Sequence, residues 1–318
     1  MNKTLTYKYK PKNINKFEID DNIKHILLTL LEMNNLNILI LGDSGTGKSA
    51  LLDAIINEYY EDNFQEQNTL YINNLKEQGI QYYRNEVKTF SQTYSNIINK
   101  KKCIILDDID NINEQSQQVF RNCIDKYSNN VNFICSCTNI QKVIDSIQSR
   151  MIIIKLKPIT NENLTNILNS IIINENINID IDARDFLINL SNTSIRIMIN
   201  YLEKFKILNK RITINIAKQL CSNISFLEFE KYTTFLIENK LKEAIRTFYN
   251  LYHNGYSVID ILDNYFLYVK IYDFKNDNIK YEIIKLLCKY ITIFHNLHED
   301  EIELALFSNN LHDIIIKN

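Results

Sequence analysis

Glycine, proline and tryptophan are scarce in this chain. Its 318 residues include five Gly, two Pro and no Trp. Glycine gives the backbone conformations that other residues avoid, so a segment that concentrates it is informative. Three of the five glycines lie between residues 42 and 47. Long apolar runs are also missing and the first sixteen residues are mostly polar, so we expect no membrane-spanning segment, no membrane partner and no secretory signal.

The six cysteines lack the spacing of a metal site, since no C-x-x-C pair and no zinc-type spacing occur. Cys135 and Cys137 alternate within an apolar run, which predicts two buried thiols on one face of a strand. We therefore expect a reducing compartment and a protein that is not secreted.

The net charge of −2 excludes a chain that attracts nucleic acid through its overall charge. Any DNA contact must come from a local basic patch. The beginning of the chain is one candidate, because five lysines precede the first acid, Glu18: Lys3, Lys8, Lys10, Lys12 and Lys16. A solvated basic tail is the alternative.

The clustered glycines belong to a strand–loop–helix pattern. The apolar run 38–41 precedes the sequence Gly42, Asp43, Ser44, Gly45, Thr46, Gly47, Lys48 and Ser49. The spacing G-x-x-x-x-G-K-S is that of a phosphate-binding loop, in which backbone N–H groups and a helix N-terminus surround phosphate oxygens. Lys48 would reach the β- and γ-phosphates and Ser49 would hold Mg²⁺. A chance match is the alternative, and the scarcity of glycine argues against it.

A second apolar run ends in acidic residues about sixty positions later. Residues 103–106 predict a buried strand, and Asp107, Asp108 and Asp110 follow it. Ligands of open α/β sheets bind at the carboxyl ends of the strands. Asp107 is therefore the candidate for holding Mg²⁺ through water, and Asp108 for orienting the attacking water. Alternatively, these acids merely begin a solvated turn.

The hydrophobic pattern alternates between strands and helices as far as residue 158 and is helical afterwards, which predicts a parallel sheet with helices on both faces and then helices alone. The predicted domains are an α/β ATP-binding domain at 1–158, a helical lid at 159–223 and a helical C-terminal domain at 224–318. The predicted strands are 37–41, 69–72, 103–107, 132–137 and 152–156, and the predicted helices before residue 158 are 23–33, 48–60, 79–90, 114–126 and 140–147.

Further segments carry a family resemblance. The chain resembles the small subunit of the sliding-clamp loader, the replication factor C type of AAA+ ATPase. The Ile-Gln-Ser-Arg sequence at 147–150 occurs in fewer protein families than the phosphate loop, which many ATPases share. The resemblance implies an AAA+ core with a parallel sheet, a helical lid and a helical collar. The segments that carry it are 7–12, 77–80, 84–90, 107–110, 117–121, 133–137, 147–150, 254–257 and 260–262.

The resemblance also implies roles at the nucleotide. Arg150 would be an arginine finger that enters the ATP site of a neighbouring subunit, and an arginine in a surface ion pair is the alternative. Arg196 matches the second sensor arginine, although the family's Gly-Asp before it is Thr193-Ser194 here. Direct alignment places Thr138 at the first sensor with Asn139 next to it, and the choice stays open. Tyr9 and Lys10 would lie against the nucleotide base or its loop.

Arg84, Lys88 and Arg121 would, on the same resemblance, line the inside of a spiral and contact phosphates of a primer–template duplex. One departure in this segment is Glu86, where the family usually has Lys. On periodicity alone, a solvated helix face is the favoured interpretation of Arg84 and Lys88, and only the resemblance favours a DNA contact.

The other departure is Asp108, which replaces the family's catalytic Glu. A carboxylate one methylene shorter should still permit ATP binding but slow hydrolysis. Lys48, Asp107, Asp108 and Arg150 are the predicted catalytic residues.

The function implied is that of an ATP- and Mg²⁺-dependent subunit of a hetero-oligomeric ring, expected to be a pentamer, that loads a ring-shaped sliding clamp onto primed DNA. The alternatives are a catalytically weak structural subunit of that complex and another AAA+ initiator or helicase loader. The expected location is the site of DNA replication, in a nucleus or, for a viral protein, in the host-cell replication compartment.

Overall fold

The protein is described by a computed structural model that covers residues 4–61, 66–73, 80–272, 274, 277–294 and 300–317. Residues 77–79 of the family resemblance and Lys3 of the basic N-terminal stretch lie outside these ranges. Within them, no helix is both long and apolar enough to cross a membrane.

A five-stranded parallel sheet forms the centre of the first part of the chain, as the sequence predicts. Its strands are β1 (Ile38–Leu41), β2 (Thr69–Asn73), β3 (Lys102–Asp107), β4 (Val131–Cys137) and β5 (Ile152–Lys155), in the order β2-β3-β4-β1-β5. Leu41, at the end of β1, pairs with Cys137 on one side and Lys155 on the other. The carboxyl ends of β4, β1 and β5 therefore meet where the glycine-rich loop begins.

Both faces of the sheet are buried. Ile38, Ile40 and Ile105 pack into one apolar cluster, whereas Leu39 and Ile104 pack into another. Successive side chains of a strand point to opposite faces, so two clusters require helices on both sides. Cys135 and Cys137 are both buried in the second cluster, which confirms the prediction that they share a face.

Helices connect and cover the strands. The helices before residue 150 are α1 (Leu5–Lys8), α2 (Asp21–Glu32), α3 (Lys48–Tyr60), α4 (Ile80–Tyr82), α5 (Lys88–Gln92), α6 (Glu114–Tyr127) and α7 (Asp145–Gln148). The helix predicted at 79–90 is continued between α4 and α5 by a π-helical turn at Tyr83–Val87. π-Turns widen a helix locally and often occur at functional sites. Asn113 caps α6 by accepting a 2.9 Å hydrogen bond from the Ser116 N–H.

Helices form the rest of the described chain, together with an isolated bridge between Ile179 and Ile212. This confirms the helical expectation for residues 160–318 within the described ranges. The helices are α8 (Asn161–Glu175), α9 (Ile181–Ser191), α10 (Ile195–Leu208), α11 (Ile214–Leu220), α12 (Phe226–Ile237), α13 (Leu241–His253), α14 (Val258–Ile271), α15 (Asp277–Phe294) and α16 (Ile302–Lys317).

Two compact units make up the chain. The first contains residues 1–171 and 193–200, and the second contains residues 172–192 and 201–318. Aromatic rings dominate the core of the second unit: Tyr232 stacks on Phe248 with 3.7 Å between the ring centroids. The three-domain division at residues 158 and 223 stays a prediction.

Candidate nucleotide-binding site

The glycine-rich loop lies between β1 and α3, in the strand–loop–helix context that its spacing predicts. Gly45 and Gly47 have φ angles of +84° and +96°, in the left-handed region that favours glycine. A Cβ atom at Gly45 would also lie 2.2 Å from the Ser194 hydroxyl oxygen. Both the backbone and the space therefore require glycine at position 45.

Lys48 is buried at the first position of α3, with 6 % of its surface exposed. Its ammonium donates hydrogen bonds to the Gly42 carbonyl at 2.7 Å and to the Asp43 carbonyl at 3.0 Å. These contacts hold a positive charge at the mouth of the loop, beside its N–H groups. That arrangement suits a phosphate, although the contact itself stays a prediction.

Ser49 and Asp107 lie side by side. The Ser49 hydroxyl donates a 2.6 Å hydrogen bond to Asp107 Oδ2, and the Ser136 hydroxyl of β4 donates to Asp107 Oδ1. A hydroxyl and a carboxylate are the hard oxygen ligands that Mg²⁺ prefers, with substrate phosphates and water completing its shell. No group of three or more His, Cys, Asp or Glu suited to a metal occurs in the described ranges. The residues therefore fit an ion held largely by its nucleotide.

Asp108 follows the end of β3 in an unusual conformation. Its φ and ψ are 55° and 58°, a left-handed region that Asp and Asn enter more readily than most residues. Its N–H donates to the Ser136 hydroxyl oxygen at 2.9 Å. Burial raises the pKa of the Asp108 carboxyl, and the charge of Asp107 adds to this, whereas Lys48 and Arg196 act in the opposite direction.

Asp110 fixes the segment that follows β4. Its Oδ2 accepts hydrogen bonds from the Thr138 hydroxyl at 2.5 Å, the Thr138 N–H at 3.1 Å and the Asn139 N–H at 3.0 Å. Burial alone would raise the pKa of Asp110, but these hydrogen bonds outweigh it and the pKa lies below its ordinary value. The carboxylate thus aligns both candidates for the first sensor.

The choice between Thr138 and Asn139 stays open. The Thr138 hydroxyl is used by Asp110, and Asn139 Oδ1 accepts a 2.9 Å hydrogen bond from the Gln141 N–H. Both side chains are exposed. They border a cavity of about 580 Å³ whose lining also includes Gly42, Asp43, Lys155 and Lys157. This cavity lies at the carboxyl ends of β1, β4 and β5 and has the size of a small-molecule site.

Arg196 lies in the first turn of α10, and its positive charge partly offsets the raised pKa of the Asp108 carboxyl. The structure therefore brings this sequence-predicted residue to the site. Thr193, just before the helix, has a φ angle of +65°. A β-branched residue rarely adopts this conformation, so Thr193, which stands where the family has glycine, has a strained backbone. The next residue, Ser194, lies against Gly45 of the phosphate loop.

The N-terminal candidates lie beside α3. Lys10 forms an ion pair with Asp53 of α3, and the Tyr71 hydroxyl donates a hydrogen bond to the same carboxylate. Tyr9 ends α1 with its side chain partly exposed. The structure thus brings Lys10 to the helix of the phosphate loop, and contact of either residue with a base stays a prediction.

The predicted DNA-contacting residues lie on neighbouring helical segments. Arg84 is exposed in the π-turn, and Lys88 is exposed one turn later at the start of α5. Arg121 lies on α6, which packs against the π-turn through the Tyr83 and Phe120 rings, 6.5 Å apart. The exposure of Arg84 and Lys88 agrees with either a DNA contact or the solvated face that periodicity favours, whereas Arg121 is half-buried.

Arg150 lies just beyond α7, at the surface. Its Nε forms an ion pair with Asp125 of α6, and its Nη1 donates to the Ser146 carbonyl at 2.7 Å. The surface ion pair considered as the alternative is therefore present in the isolated chain. Action as a finger requires a neighbouring subunit, and this role stays a prediction.

Sequence reasoning missed four polar residues that organise the site. Ser136 joins Asp107 to Asp108, Asp110 holds the sensor segment, Asp53 binds Lys10 and Asp125 binds Arg150. Ser136 could have been found because it lies near the carboxyl end of a predicted strand, at the edge of the parallel sheet where Asp107 also lies. Asp110 belongs to the acidic run after the second strand, but that run does not indicate its contacts with Thr138 and Asn139. Asp53 and Asp125 give no signal in a single sequence, because the spatial neighbour of a helical acid is not encoded in local spacing.

Comparisons with known proteins find similarity to ATPases. Residues 38–158 match the ATPase family associated with various cellular activities (AAA). A replication factor C small subunit of Methanococcus maripaludis is 31% identical over 82% of this chain and 84% of its own length. A protein described as a replication factor C small subunit of Acanthamoeba polyphaga mimivirus is 28% identical over 88% of this chain and 87% of its own length.

The fold has relatives among solved structures. A DNA polymerase III gamma subunit-related protein from Thermotoga maritima superposes with a TM-score of 0.52, covering 91% of this chain and 99% of that one. The identity is 15%, so this likeness concerns the fold alone.

Proposed function

Because the chain belongs to the replication factor C small-subunit family of AAA+ ATPases, we propose that it is an ATP-switched subunit of a sliding-clamp loader. Family membership favours this function over that of an initiator or helicase loader. It implies nucleotide binding, typically with Mg²⁺, and work at sites of DNA replication within a multi-subunit complex. The nucleus or a viral replication compartment and a pentameric ring are the finer parts of the proposal.

The observation that carries the ATP switch is the contact between Ser49 and Asp107, residues from the two halves of the site. Lys48 would bind the β- and γ-phosphates, and Mg²⁺ held at Ser49 and Asp107 would neutralise charge on them. Asp108 would orient the attacking water. Thr138 or Asn139, and Arg196, would contact the γ-phosphate, so that binding and hydrolysis alter the segments that carry them.

Assembly would complete the site. Arg150 would enter the site of a neighbouring subunit, where a fixed guanidinium stabilises charge on the phosphoryl group. In the proposed complex, residues 159–223 act as the lid and residues 224–318 as the collar that holds subunits together. Arg84, Lys88 and Arg121 would contact DNA phosphates on the inside of the ring.

The experiment is to purify the chain with the proteins it binds and to measure ATP hydrolysis with and without primed DNA and clamp. The proposal expects partner subunits of the same family and a rate that rises when DNA and clamp are added. A chain that binds no such partners, with hydrolysis indifferent to primed DNA, would contradict it.

A second candidate is a subunit that binds ATP but hydrolyses it weakly, which the short Asp108 side chain favours. In that case hydrolysis by the assembled complex would be unchanged when Asp108 is replaced by Asn.

A further inference from the structure

The Asp125 carboxylate lies between two arginines for which separate functions are proposed. Its Oδ1 forms the ion pair with Arg150 Nε. Its Oδ2 lies 3.8 Å from Arg121 Nε, one helical turn earlier on α6. Arg121 Nε is buried and makes no hydrogen bond within the described residues. A single carboxylate therefore faces the proposed finger and a proposed DNA contact.

The contacts of Arg150 fix one side of its guanidinium. Nε is held by Asp125, and Nη1 donates to the Ser146 carbonyl at 2.7 Å and to the Ser149 hydroxyl at 3.3 Å. For Nη2, the described part of the chain provides no hydrogen-bond partner. A planar guanidinium held in this way keeps its remaining donor in a fixed direction.

We propose that Asp125 is a positioning residue, which orients Arg150 for the ATP site of a neighbouring subunit and couples it to the occupancy of Arg121. This inference rests on the proposed function. A guanidinium ordered before the reaction needs no rearrangement when charge develops on the phosphoryl group, so its effect on the rate is larger than that of a freely rotating side chain.

The coupling follows from the shared charge. Without DNA, Asp125 is divided between two cations. A DNA phosphate close to Arg121 would neutralise that arginine, and the Asp125 charge would then act on Arg150 alone. Arg150 should therefore be held more firmly when primed DNA is bound.

A simple surface ion pair is the competing explanation. Exposed pairs contribute little to folding, so the thermal unfolding of Asp125→Asn should match that of wild type under either explanation. The two differ in hydrolysis by other subunits, which a pair with only a structural role would leave unchanged.

The test uses the assembled complex in which this subunit carries Lys48→Ala and every other subunit except the neighbour that would receive Arg150 carries the same phosphate-loop substitution, so that the hydrolysis measured occurs at that neighbour's site. Asp125→Asn should lower the maximal rate about ten- to a hundredfold, the scale of a misplaced reacting group. The affinity of the neighbouring subunit's site for ATP should not change. Asp125→Glu should restore part of the rate, and Asp21→Asn, which removes the exposed carboxylate paired with Lys24, is the matched control.

Three further measurements decide the outcome. Arg150→Ala should lower the rate at least as much as Asp125→Asn, and the double variant should be no slower than Arg150→Ala alone. The reduction caused by Asp125→Asn should be larger with primed DNA than without it. The positioning role would be overturned if Arg150→Ala lowered the rate and Asp125→Asn did not. It would also be overturned if the double variant lost the product of the two single reductions. Equal reductions with and without DNA would overturn the coupling, and an unchanged rate for Arg150→Ala would overturn the finger assignment as well.

Discussion

The Ser49 hydroxyl donates a 2.6 Å hydrogen bond to Asp107 Oδ2, although 58 residues separate the two in the sequence. This contact exists because parallel strands β1 and β3 end at the same edge of the sheet, with β4 between them. The phosphate loop and the acidic strand end therefore form one site.

Lys48→Ala should abolish productive ATP binding. The substitution removes a buried ammonium from the loop and leaves no point charge for the β- and γ-phosphates. Binding of a fluorescent ATP analogue to the purified chain measures the effect. Lys24→Ala, which changes a lysine paired with Asp21 outside the loop, should bind as wild type does. Undiminished affinity in Lys48→Ala would contradict the site assignment.

Asp108→Asn should retain ATP binding but lower hydrolysis at this subunit's own site roughly a hundredfold or more, the lower range for a lost general base. The assembled complex used for this measurement carries phosphate-loop Lys→Ala substitutions in its other subunits, so that only this site hydrolyses ATP. Asparagine tolerates the left-handed backbone at φ 55°, so the substitution removes charge with little strain. Steady-state ATP hydrolysis measures this. An unchanged rate would instead identify the catalytically weak subunit.

Asp110→Asn should destabilise the chain by about 1–3 kcal/mol at pH 7, because three hydrogen bonds to a charged oxygen lose that charge. The folded pKa of Asp110 lies below its ordinary value of 3.8, so the charged carboxylate stabilises the folded chain above that pH. Its contribution is lost as the pH falls through the folded pKa.

The stability difference between wild type and Asp110→Asn should therefore be constant near neutral pH and shrink in strong acid. Denaturant unfolding at pH 7 and pH 3 measures it, with Asp185→Asn, an exposed aspartate of α9, as the control. A difference that is absent at pH 7, or that grows in acid, would contradict the account of Asp110.

The Arg84→Ala, Lys88→Ala double variant should weaken DNA binding by the assembled complex. Each side chain that binds a phosphate releases counterions, so the slope of log affinity against log salt should fall by about one unit for each such side chain removed, with little dependence on DNA sequence. The Lys231→Ala, Lys285→Ala double variant, in the second compact unit, is the control of equal charge. Identical slopes for wild type and the Arg84, Lys88 variant would identify those side chains as a solvated face.

Much of the fold could be predicted from the sequence. The apolar runs that became β1, β3 and β4 carry a strong local pattern, and glycine at positions 45 and 47 marks the loop in advance. The order of strands could not be read from that pattern, because periodicity reports which face of a strand is buried and not which strand lies beside it. The π-turn at Tyr83–Val87 also has no local signature distinct from an α-helix.

The site was predictable only in part, for the same reason. Lys48, Ser49 and Asp107 follow from motif spacing, and the structure brings the three together. Asp110 and Asp125 act through contacts with residues 25–29 positions away, and nothing in their local sequence identifies those partners. The left-handed conformations of Asp108 and Thr193 likewise emerge only from the packed structure.

The most direct test of the central claim is retention of a sliding clamp on primed DNA with blocked ends, measured after the chain has been assembled with its co-purifying partners. Stable retention should require both ATP and this chain, and should fall to background when this subunit carries Lys48→Ala. Equal retention by a complex that lacks the chain, or retention that does not depend on ATP, would contradict its assignment as an ATP-switched clamp-loader subunit.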